Sequence, residues 1–521
     1  MTTTENAPTR PRTLPGHVHT LVVGAGFAGI GMAAKLLRAD RNADVLVIER
    51  ADEVGGTWRD NTYPGAACDV PSVLYSFSFA PNPDWKHSYS RQPEIFDYLR
   101  NVATSAGVRR NLVTGCELLG ATWDDDAQLW RVRTSLGELT ATVLIAATGT
   151  LSQPKLPALP GLADFTGTTF HSATWNHDHD LRGERVAVVG TGASAVQFVP
   201  EIIDDTEHLT VFQRTAAWAC PRPDGSPSAR TRALYRRVPL VQKLVRGGVY
   251  AILELLVLVL AHLTRLLPII SVWPRRYLRK HVTDEGKRKA LTPSFTLGCK
   301  RVLLTNTWVP TLARPDLTLV ASGIHHVTER GVVDNDGVEH AVDTIIFGTG
   351  FTPTEPPVAH LLRGADGQTL AEHWAGSPHA YLGTTVAGFP NLFLMYGPNT
   401  NLGHSSIVYM LESQAAYISD ALALMRRREL SSLQVLPTEQ QAYNARIDDQ
   451  LQGTVWNAGG CSSWYLDASG RNSAMWPTFT WRYRQLTKRF DPSRYQLVAA
   501  NTQQATNQRA TTRPADVTPA S

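Results

Sequence analysis

The residues most able to do chemistry in this chain lie in two glycine-rich segments that are far apart in sequence. Residues 24–29 read GAGFAG and residues 190–195 read GTGASA, and each follows a short apolar run rich in valine. Glycines in such a turn permit a tight bend, close approach of the backbone to a pyrophosphate, and close packing of helix on strand. A phosphate placed there meets the free N–H groups and the positive dipole of a helix N-terminus. Two such turns predict two dinucleotide sites with electron transfer between them.

The first turn contains Gly24, Gly26 and Gly29, and the next apolar run, residues 45–48, is followed by an acid, Glu49. That acid lies about 20 residues past the turn, where a carboxylate accepts hydrogen bonds from ribose hydroxyls. A carboxylate there would repel a 2′-phosphate. The first site is therefore predicted to hold FAD or NAD, and not NADP.

The second turn contains Gly190 and Gly192, and the apolar run at 209–212 leads to Arg214 and Thr215 instead of an acid. Arginine can pair bidentately with a 2′-phosphate, and a threonine hydroxyl can donate a further hydrogen bond. The second site is therefore predicted to prefer NADPH. The alternative is that Arg214 is an ordinary solvated surface charge.

Length and composition limit the remaining possibilities. A chain of 521 residues allows about three domains. Its 43% hydrophobic and 18% charged residues are typical of a globular protein with a large core. The net charge of +4 is small, and no basic run is interleaved with aromatic residues, so nucleic acid is not a predicted partner.

The cysteines show neither a CxxC motif nor metal-ligand spacing, so no metal site is predicted. They favour a reducing, cytoplasmic compartment. No CxxxxC follows the first turn, which argues against the disulfide reductases that also carry two dinucleotide sites. The five positions are Cys68, Cys116, Cys220, Cys299 and Cys461.

The pattern of apolar runs predicts an α/β fold with two Rossmann-like dinucleotide-binding domains, the NADPH domain inserted in the FAD domain. Residues 343–350 are predicted to return the chain to the FAD domain, and residues 389–397 to add another buried strand. Both termini are poor in apolar residues and are predicted to be disordered. The predicted ranges are a disordered N-terminus at 1–17, the FAD domain at 18–153 and 341–493, the NADPH domain at 154–340 with a helical insertion at about 223–291, and a disordered tail at 494–521.

One stretch of the insertion, residues 249–263, is almost wholly apolar but is interrupted by Glu254 and His262. It is shorter than the ~20 residues that a membrane-spanning helix needs. One interpretation is a buried helix. The other is that about residues 249–270 lie on a membrane surface and admit lipophilic substrate. The stretch is followed by the basic residues Arg275, Arg276, Arg279 and Lys280.

Two longer motifs resemble a known family. Residues 55–69 read GGTWRDNTYPGAACD and match in full the (A/G)GxWxxxx(F/Y)P(G/M)xxxD signature of Baeyer–Villiger monooxygenases. Residues 165–175 match the second signature, FxGxxxHxxxW(P/D), through His171 and Trp175, and depart from it at Asn176. The resemblance runs from about residue 19 to about residue 489.

The resemblance implies a reaction in which reduced flavin and O2 form a C4a-peroxyflavin that attacks a ketone. Carbon migration to oxygen then leaves an ester or lactone. The charged species need a fixed cation in a site closed to water. Arg301 matches the family's catalytic arginine, and Asp69 matches the carboxylate that orients it. The implied substrates are O2 and a small ketone, which the apolar insertion suggests is lipophilic.

By the same resemblance, Tyr75 lies near the flavin, Lys300 joins the 2′-phosphate site, and Trp464 contacts the nicotinamide cofactor. His171 and Trp175 are expected to support the linker between the domains. The residues 403–406 (GHSS) either contact flavin or pack a helix start. The candidate FAD residues are Gly24, Gly26, Phe27, Ala28, Gly29, Glu49, Gly56, Thr57, Trp58, Asp69 and Tyr75. The candidate NADP residues are Gly190, Thr191, Gly192, Ser194, Ala195, Arg214, Thr215, Lys300 and Trp464.

Three alternatives remain open at this point. The first is a flavin-containing monooxygenase that oxygenates nitrogen or sulfur. The second is an uncoupled NADPH oxidase, and the third is a flavin-binding protein without turnover. The sequence predicts a cytoplasmic enzyme with membrane association as a second interpretation, and it carries no signal of oligomeric state.

Overall fold

The computed structural model describes residues 14–351 and 356–500. Most of both predicted disordered termini lies outside these residues. Within them, His17 already begins a strand, and Tyr495–Ala499 forms another. This last strand pairs antiparallel with Leu430–Val435 and buries the ring of Tyr495. The prediction of disorder is therefore wrong at His17 and from residue 494 to the end of this strand, because apolar side chains there find a partner.

The first dinucleotide-binding unit is built on a sheet that has eight strands within the described residues. Strand His17–Val23 lies at its centre, parallel to both Val45–Ile48 and Gly137–Ala146. The strand predicted within residues 389–397 is present and pairs parallel with Gly137–Ala146. The spatial order is Leu362–Arg363, Leu118–Asp124, Leu129–Thr134, Gly137–Ala146, His17–Val23, Val45–Ile48 and Leu112–Val113, with Leu392–Leu394 also beside Gly137–Ala146.

The second unit has a five-stranded sheet in the described part of the chain, ordered Leu317–Val320, His208–Phe212, Arg185–Val189, Thr344–Phe347 and Thr168–His171. The two sheets confirm the predicted α/β fold with two Rossmann-like units. The position of Thr344–Phe347 corrects one detail, because this strand was predicted to return the chain to the first unit. It pairs instead with Arg185–Val189 and Thr168–His171.

Each unit closes with its own strand. In the first unit, Gly137–Ala146 runs into residues 147–149 (ATG), which pass over the glycine turn. In the second, Thr344–Phe347 runs into residues 348–350 (GTG), which pass over the other turn in the same way. The chain therefore leaves the second unit after residue 350 and not at residue 341.

Helices cover both sheets. In the first unit, Ile407–Arg428 packs on Phe27–Ala39, the helix that follows the first glycine turn. The other α-helices of this unit are Thr57–Asp60, Gln92–Ser105, Leu370–Trp374, Pro437–Gln452, Val455–Ala458 and Thr480–Leu486. Those of the second unit are Ala195–Ile202 and Trp308–Leu312. A three-stranded antiparallel sheet of Ile324–Val327, Gly331–Asp334 and Glu339–Ala341 packs beside the second unit.

The region predicted as a helical insertion contains a series of helices that ends near the loop leading to Arg301. Its longest helix runs from Pro239 to His262, and its outward side chains are exposed, so the interpretation of residues 249–263 as a buried helix is wrong. The elements in order are Ala229–Arg237, Pro239–Val257, Leu258–His262, Thr264–Leu266, Leu267–Ile270, Val272–His281 and Glu285–Ala290.

A disulfide joins Cys299 and Cys461, across a sequence separation of 162 residues. The cysteine pattern favours a reducing compartment and therefore free thiols, and this disulfide contradicts that expectation. The folded chain brings the two residues together, which sequence spacing could not show. The other three cysteines in the described residues, Cys68, Cys116 and Cys220, are free and buried.

We predict that Cys461→Ser lowers the apparent unfolding temperature and that a reductant does the same to the unsubstituted protein. Closing a loop of this length is worth about 5 kcal/mol in the chain-entropy treatment of disulfides. Differential scanning fluorimetry with and without dithiothreitol measures the effect, with Cys116→Ala as the control that removes a free thiol. Alkylation of the denatured, unreduced protein should label three cysteines, and labelling of all five would disprove the pairing.

Candidate active site between the two dinucleotide-binding units

The first glycine turn brings the helix Phe27–Ala39 close to the central strand. Gly24 has a φ of +103°, and a Cβ on it would lie 2.7 Å from the carbonyl oxygen of Ala147. A Cβ on Gly29 would lie only 1.8 Å from the carbonyl oxygen of Gly24. Any side chain at Gly24 or Gly29 would thus force the helix away from the sheet.

Gly26 differs from these two glycines because its Cβ position faces open space. The nearest atom to that position is the Cα of Gly56, 3.7 Å away. Gly26 and Gly56 therefore leave an opening without side chains at the start of the helix Phe27–Ala39. No side chain caps the N-terminus of that helix. The opening and its uncapped N–H groups suit a pyrophosphate, and the residues thus fit a bound FAD.

Glu49 ends the strand Val45–Ile48, as predicted, and its carboxylate is buried. Its Oε2 accepts a hydrogen bond from the backbone N–H of Ala25 at 2.8 Å. Its Oε1 accepts from the N–H of Ala51 and from Nη1 of Arg59, both at 3.1 Å. The carboxylate is therefore fixed beside the glycine turn, where it could accept further bonds from a ribose.

Aromatic side chains from three segments meet beside the first turn. Trp58 Nε1 donates a hydrogen bond to the hydroxyl of Tyr75 at 3.0 Å. The ring of Phe27 lies edge-on to that of Tyr75, with centroids 4.9 Å apart. Tyr75 therefore links Phe27, at the start of the helix, to Trp58 of the first signature. It brings together three of the predicted flavin-contacting residues.

The second glycine turn repeats the construction of the first. Gly190 has a φ of +107°, and a Cβ on it would lie 2.6 Å from the carbonyl oxygen of Gly348. The Cβ position of Gly192 is open, with the same oxygen 3.7 Å away. Ser194 precedes the helix Ala195–Ile202, and no side chain caps that helix. This turn has the space and the free N–H groups that a second dinucleotide requires.

Two cations lie beside this second turn. Arg214 is exposed, and Lys300 is half-buried against the ring of Phe295, 5.2 Å from its centroid. Burial lowers the pKa of Lys300, and the nearby positive charge of Arg214 lowers it further. Neither cation pairs with a carboxylate among residues 14–351 and 356–500. Thr191 donates a hydrogen bond to the carbonyl of Thr215 at 3.4 Å, which places both threonines beside Arg214.

Arg301 and Asp69 form a bidentate ion pair between the two units. Nε and Nη2 of Arg301 donate to Oδ2 and Oδ1 of Asp69, each at 2.5 Å. The side chains are 34% and 24% exposed, so the pair is partly open to solvent and is not sealed in a core. Nη1 of Arg301 has no hydrogen-bond partner in the described part of the chain, so this nitrogen is free to donate to a ligand.

The two members of the pair fix each other's charge. Burial acts to raise the pKa of Asp69, but the charge and hydrogen bonds of Arg301 outweigh burial and hold it below its ordinary value. The charge of Asp69 raises the pKa of Arg301. Asp69 therefore stays ionised at neutral pH, and the pair is lost only as the pH falls through the lowered carboxyl pKa.

Two tyrosine hydroxyls lie near the guanidinium. Burial raises the pKa of Tyr465 to about 12, although the nearby charge of Arg301 opposes the shift. Burial also raises the pKa of Tyr396, again against the charge of Arg301. Tyr396 and the exposed ring of Trp464 line a cleft, together with Thr148, Gly149, Asn401 and Ser473. We call this space the Trp464 cleft.

The first signature also holds the units together. Tyr63 donates from its hydroxyl to Oε1 of Gln197 at 2.9 Å, and Gln197 Nε2 donates to the carbonyl of Ala67 at 2.9 Å. A Cβ on Gly65 would lie 2.7 Å from the carbonyl oxygen of Gln197. This glutamine belongs to the helix Ala195–Ile202 of the second unit. The segment from Tyr63 to Ala67 therefore packs directly on the helix that starts the second dinucleotide site.

The second signature contacts the same helix through Trp175. The ring of Trp175 lies 5.2 Å from that of Phe198, between centroids. His171 is buried, and its Nδ1 accepts a hydrogen bond from the N–H of Ala173 at 3.0 Å. Thr62 of the first signature lies 2.7 Å from Nε2 of His177. His171 ends the strand Thr168–His171 of the second sheet, and Trp175 packs on the helix Ala195–Ile202. Their expected support of the linker stays a prediction.

The segment 403–406 packs a helix start, and the flavin contact that was also considered for it stays a prediction. Ser406 caps the helix Ile407–Arg428 by accepting a hydrogen bond from the N–H of Val408 at 3.3 Å. The buried Nδ1 of His404 and Oγ of Ser405 have no partner among the described residues. Buried polar atoms without partners indicate a missing ligand or water. This observation is consistent with a contact to the flavin.

Sequence reasoning did not identify Tyr396, Tyr465 or Gln197 as parts of the site. Tyr396 follows a buried strand and has a φ of +62°, an unusual conformation for a bulky residue. Gln197 is a polar residue in the otherwise apolar first turns of its helix, which is the signal that could have found it. Tyr465 is adjacent to Trp464, but nothing in the sequence distinguished it from a core aromatic.

Comparisons with known proteins agree with this geometry. Residues 21–237 match the family model described as pyridine nucleotide-disulphide oxidoreductase. A Baeyer–Villiger monooxygenase of Pseudomonas aeruginosa is 47% identical over 483 residues, covering 92% of each chain. One of Streptomyces coelicolor is also 47% identical, covering 92% of this chain and 93% of its own.

Solved structures of monooxygenases also superimpose on this chain. An oxidized steroid monooxygenase bound to NADP superimposes with a TM-score of 0.82 at 28% identity, over 93% of this chain and all of its own. The cyclohexanone monooxygenase of Rhodococcus sp. Phi1 bound to NADP+ has a TM-score of 0.81 at 28% identity, over 94% of this chain and all of its own. With two dinucleotide turns, the Arg301–Asp69 pair between them and relatives of this identity, the chain belongs to the Baeyer–Villiger monooxygenases, which are FAD- and NADPH-dependent.

Proposed function

We propose that Arg301 is the catalytic cation of this enzyme and that Asp69 orients it. Bound FAD would supply the activation of O2. The guanidinium remains protonated at any working pH, and Asp69 occupies Nε and Nη2 but not Nη1. A fixed donor of this kind stabilises negative charge that develops on oxygen next to a ketone carbonyl. The bidentate pair between the two units is the single observation that carries this proposal.

We propose that the first site holds FAD through the residues around the opening at Gly26 and Gly56. In this proposal the N–H groups of the glycine turn donate hydrogen bonds to the pyrophosphate, and Glu49 accepts hydrogen bonds from the ribose hydroxyls. The aromatic residues support the flavin ring system. The uncapped helix and the orphaned atoms of His404 and Ser405 support this assignment. The full set is Gly24, Gly26, Phe27, Ala28, Gly29, Glu49, Gly56, Thr57, Trp58, Asp69 and Tyr75.

We propose that the second site holds NADPH, with its 2′-phosphate between Arg214 and Lys300. Two cations without a carboxylate partner lie there, and a phosphate would relieve their mutual repulsion. Trp464 would contact the nicotinamide end across the Trp464 cleft. The full set is Gly190, Thr191, Gly192, Ser194, Ala195, Arg214, Thr215, Lys300 and Trp464.

We propose that the organic substrate is a lipophilic ketone, oxygenated in the cytoplasm at or near a membrane. The Trp464 cleft supports this assignment, because apolar side chains such as Val358, Leu370 and Leu394 line much of it. In a reducing compartment the Cys299–Cys461 disulfide near Arg301 would be redox-sensitive, as cytosolic disulfides commonly are. The exposed apolar insertion supports membrane contact and is considered separately below.

Gly26→Ala should prevent flavin binding while leaving the protein folded. Its added Cβ meets no protein atom closer than 3.7 Å but fills the proposed pyrophosphate opening. Flavin content by absorbance and folding by circular dichroism separate the two effects. Gly16→Ala is the matched control, because no atom lies within 4 Å of its Cβ position. Full flavin content in Gly26→Ala would show that the pyrophosphate binds elsewhere.

Arg214→Ala and Lys300→Ala should each weaken use of NADPH and leave use of NADH nearly unchanged. A lost hydrogen bond to a charged group is worth about 1.5–3 kcal/mol, which is roughly a 10- to 150-fold loss in kcat/KM. Steady-state kinetics with both cofactors give the ratio. Arg330→Ala, an exposed arginine of the same unit, is the control. Equal losses with NADPH and NADH would place the 2′-phosphate away from these cations.

Arg301→Ala should still allow NADPH to reduce the flavin but should lower ester formation by about 10²–10³-fold. Oxygen consumed would then leave as hydrogen peroxide. Stopped-flow flavin reduction, product analysis with a ketone, and peroxide assay measure the three quantities. Arg314→Ala removes a surface arginine that pairs bidentately with Asp316 and serves as the control. Ester formation at the unsubstituted rate in Arg301→Ala would exclude this residue from the reaction.

A further inference from the structure

The long helix of the insertion, Pro239–His262, is attached to the body of the protein by a stripe of polar side chains at every fourth position. Gln242 Nε2 donates to the carbonyl of Asn82 at 2.6 Å, and Arg246 Nη1 donates to the carbonyl of Val73 at 2.7 Å. Residues four apart lie on one face of a helix, so all four members of the stripe face inward. The members are Gln242, Arg246, Tyr250 and Glu254.

The second half of the stripe is as well bonded as the first. The hydroxyl of Tyr250 lies 3.0 Å from Oγ1 of Thr480. Glu254 is buried and accepts hydrogen bonds from the N–H and the Oγ1 of Thr480, at 2.9 and 2.7 Å. His404 Nε2 lies 3.3 Å from the same carboxylate. The helix is long and apolar enough to cross a membrane, but crossing would break every one of these contacts.

The opposite face of the same helix is apolar and exposed. Leu244 is 67% exposed and Ile252 is 64% exposed. The pattern continues past the helix end, where Ile269 is 70% exposed and Trp273 is 54% exposed. This is the reverse of a normal surface helix, whose polar face meets water. We call this surface the outer face; it consists of Leu240, Leu244, Ile252, Leu255, Leu256, Leu263, Leu266, Ile269, Ile270, Val272 and Trp273.

The same insertion carries a strong positive charge. Residues 229–283 contain eleven lysines and arginines and one acid, the buried Glu254, whereas the whole chain has a net charge of only +4. The remainder of the chain is therefore net negative. Five basic residues beside the outer face are exposed: Lys243, Arg275, Arg276, Arg279 and Lys280.

We propose that the outer face docks on an anionic lipid bilayer, with its apolar side chains among the acyl chains and its basic residues at the headgroups. An exposed apolar surface flanked by lysine and arginine is the pattern of helices that lie in a membrane interface. A second copy of this chain is a poorer partner, because a symmetric contact would bring two strongly basic surfaces together. Nucleic acid would leave the apolar residues without a partner.

The outer face is connected to the active site through the end of the helix. Leu258–His262 packs against the loop that carries Arg301, and a Cβ on Gly298 would lie 2.4 Å from Cδ2 of Leu260. An apolar ketone dissolved in the bilayer would therefore meet the protein on the side of this loop. This last step rests on the proposed function, whereas the docking itself does not.

Vesicle co-sedimentation of the full-length, FAD-loaded protein tests the docking without turnover. Vesicles of phosphatidylcholine alone are compared with vesicles that also contain about one third phosphatidylglycerol. We expect binding to the anionic vesicles, reduced but not abolished by 0.5 M salt, since the apolar contact is not screened. Absence of binding to anionic vesicles, or equal binding to both kinds, would overturn the proposal.

Two pairs of variants separate the apolar and the basic contributions. Leu244→Glu with Ile252→Glu should reduce binding at least tenfold, whereas Leu136→Glu with Leu156→Glu, at exposed sites in the first unit and the linker, should not. Arg276→Glu with Lys280→Glu should reduce binding to anionic vesicles about tenfold or more, against Arg427→Glu with Arg428→Glu as the charge-matched control.

Two further readouts complete the test. NADPH oxidation without vesicles should be unchanged in all four double variants, which shows that folding and the active site are intact. Light scattering of the unsubstituted protein should show no concentration-dependent dimer that the outer-face variants abolish. Such a dimer, or equal vesicle binding by the outer-face variants and their controls, would reject the bilayer as the partner. These results stand whether or not Arg301 proves to be catalytic.

Discussion

The ion pair between Arg301 and Asp69 is the contact on which the arrangement of this protein depends. Asp69 ends the first signature, in the unit built around His17–Val23, whereas Arg301 follows the insertion of the other unit. Each charge needs the other, because a partly buried charge without a partner is costly. The pair can form only when the two units are close enough to enclose the site between their glycine turns. The proposed catalytic cation therefore keeps its partner only while the two units are assembled.

The first signature is long because its residues meet several separate physical demands. Gly56 leaves the opening opposite Gly26, and Trp58 fixes the hydroxyl of Tyr75. Further along, Tyr63 and the segment after it bind Gln197 on the helix of the second unit. Asp69 then holds the guanidinium. A single segment of fifteen residues therefore contacts the proposed flavin site, the other unit and the proposed catalytic cation.

The parts predicted well from sequence are those governed by local geometry. The strand, turn and helix around Gly24 and Gly190 follow from short-range rules, and the contrast between Glu49 and Arg214 follows from charge. The assignment of Thr344–Phe347 failed because two closing strands with similar sequences can be distinguished only by the sheet they join. The Cys299–Cys461 pair was missed because contacts between distant residues leave no mark in spacing. Tyr396 was missed for the same reason.

The insertion shows a different limit. The four-residue spacing from Gln242 to Glu254 was present in the sequence, but the interpretation as a buried helix takes the apolar residues to point toward a core. That assumption fails where a polar stripe finds buried partners such as Thr480 and leaves the apolar side outside. Periodicity identifies the two faces of a helix, and only the surrounding fold determines which of them is covered.

The disulfide between Cys299 and Cys461 has a topological consequence. It closes a covalent ring that contains the last strand of the second sheet, the return to the first unit and the helix Ile407–Arg428. A single protease cut within that ring would leave both fragments joined by the sulfur bridge, next to Arg301. In its oxidised form the enzyme could thus be nicked there and its fragments would stay joined even after denaturation, whereas reduction of the denatured protein would separate them.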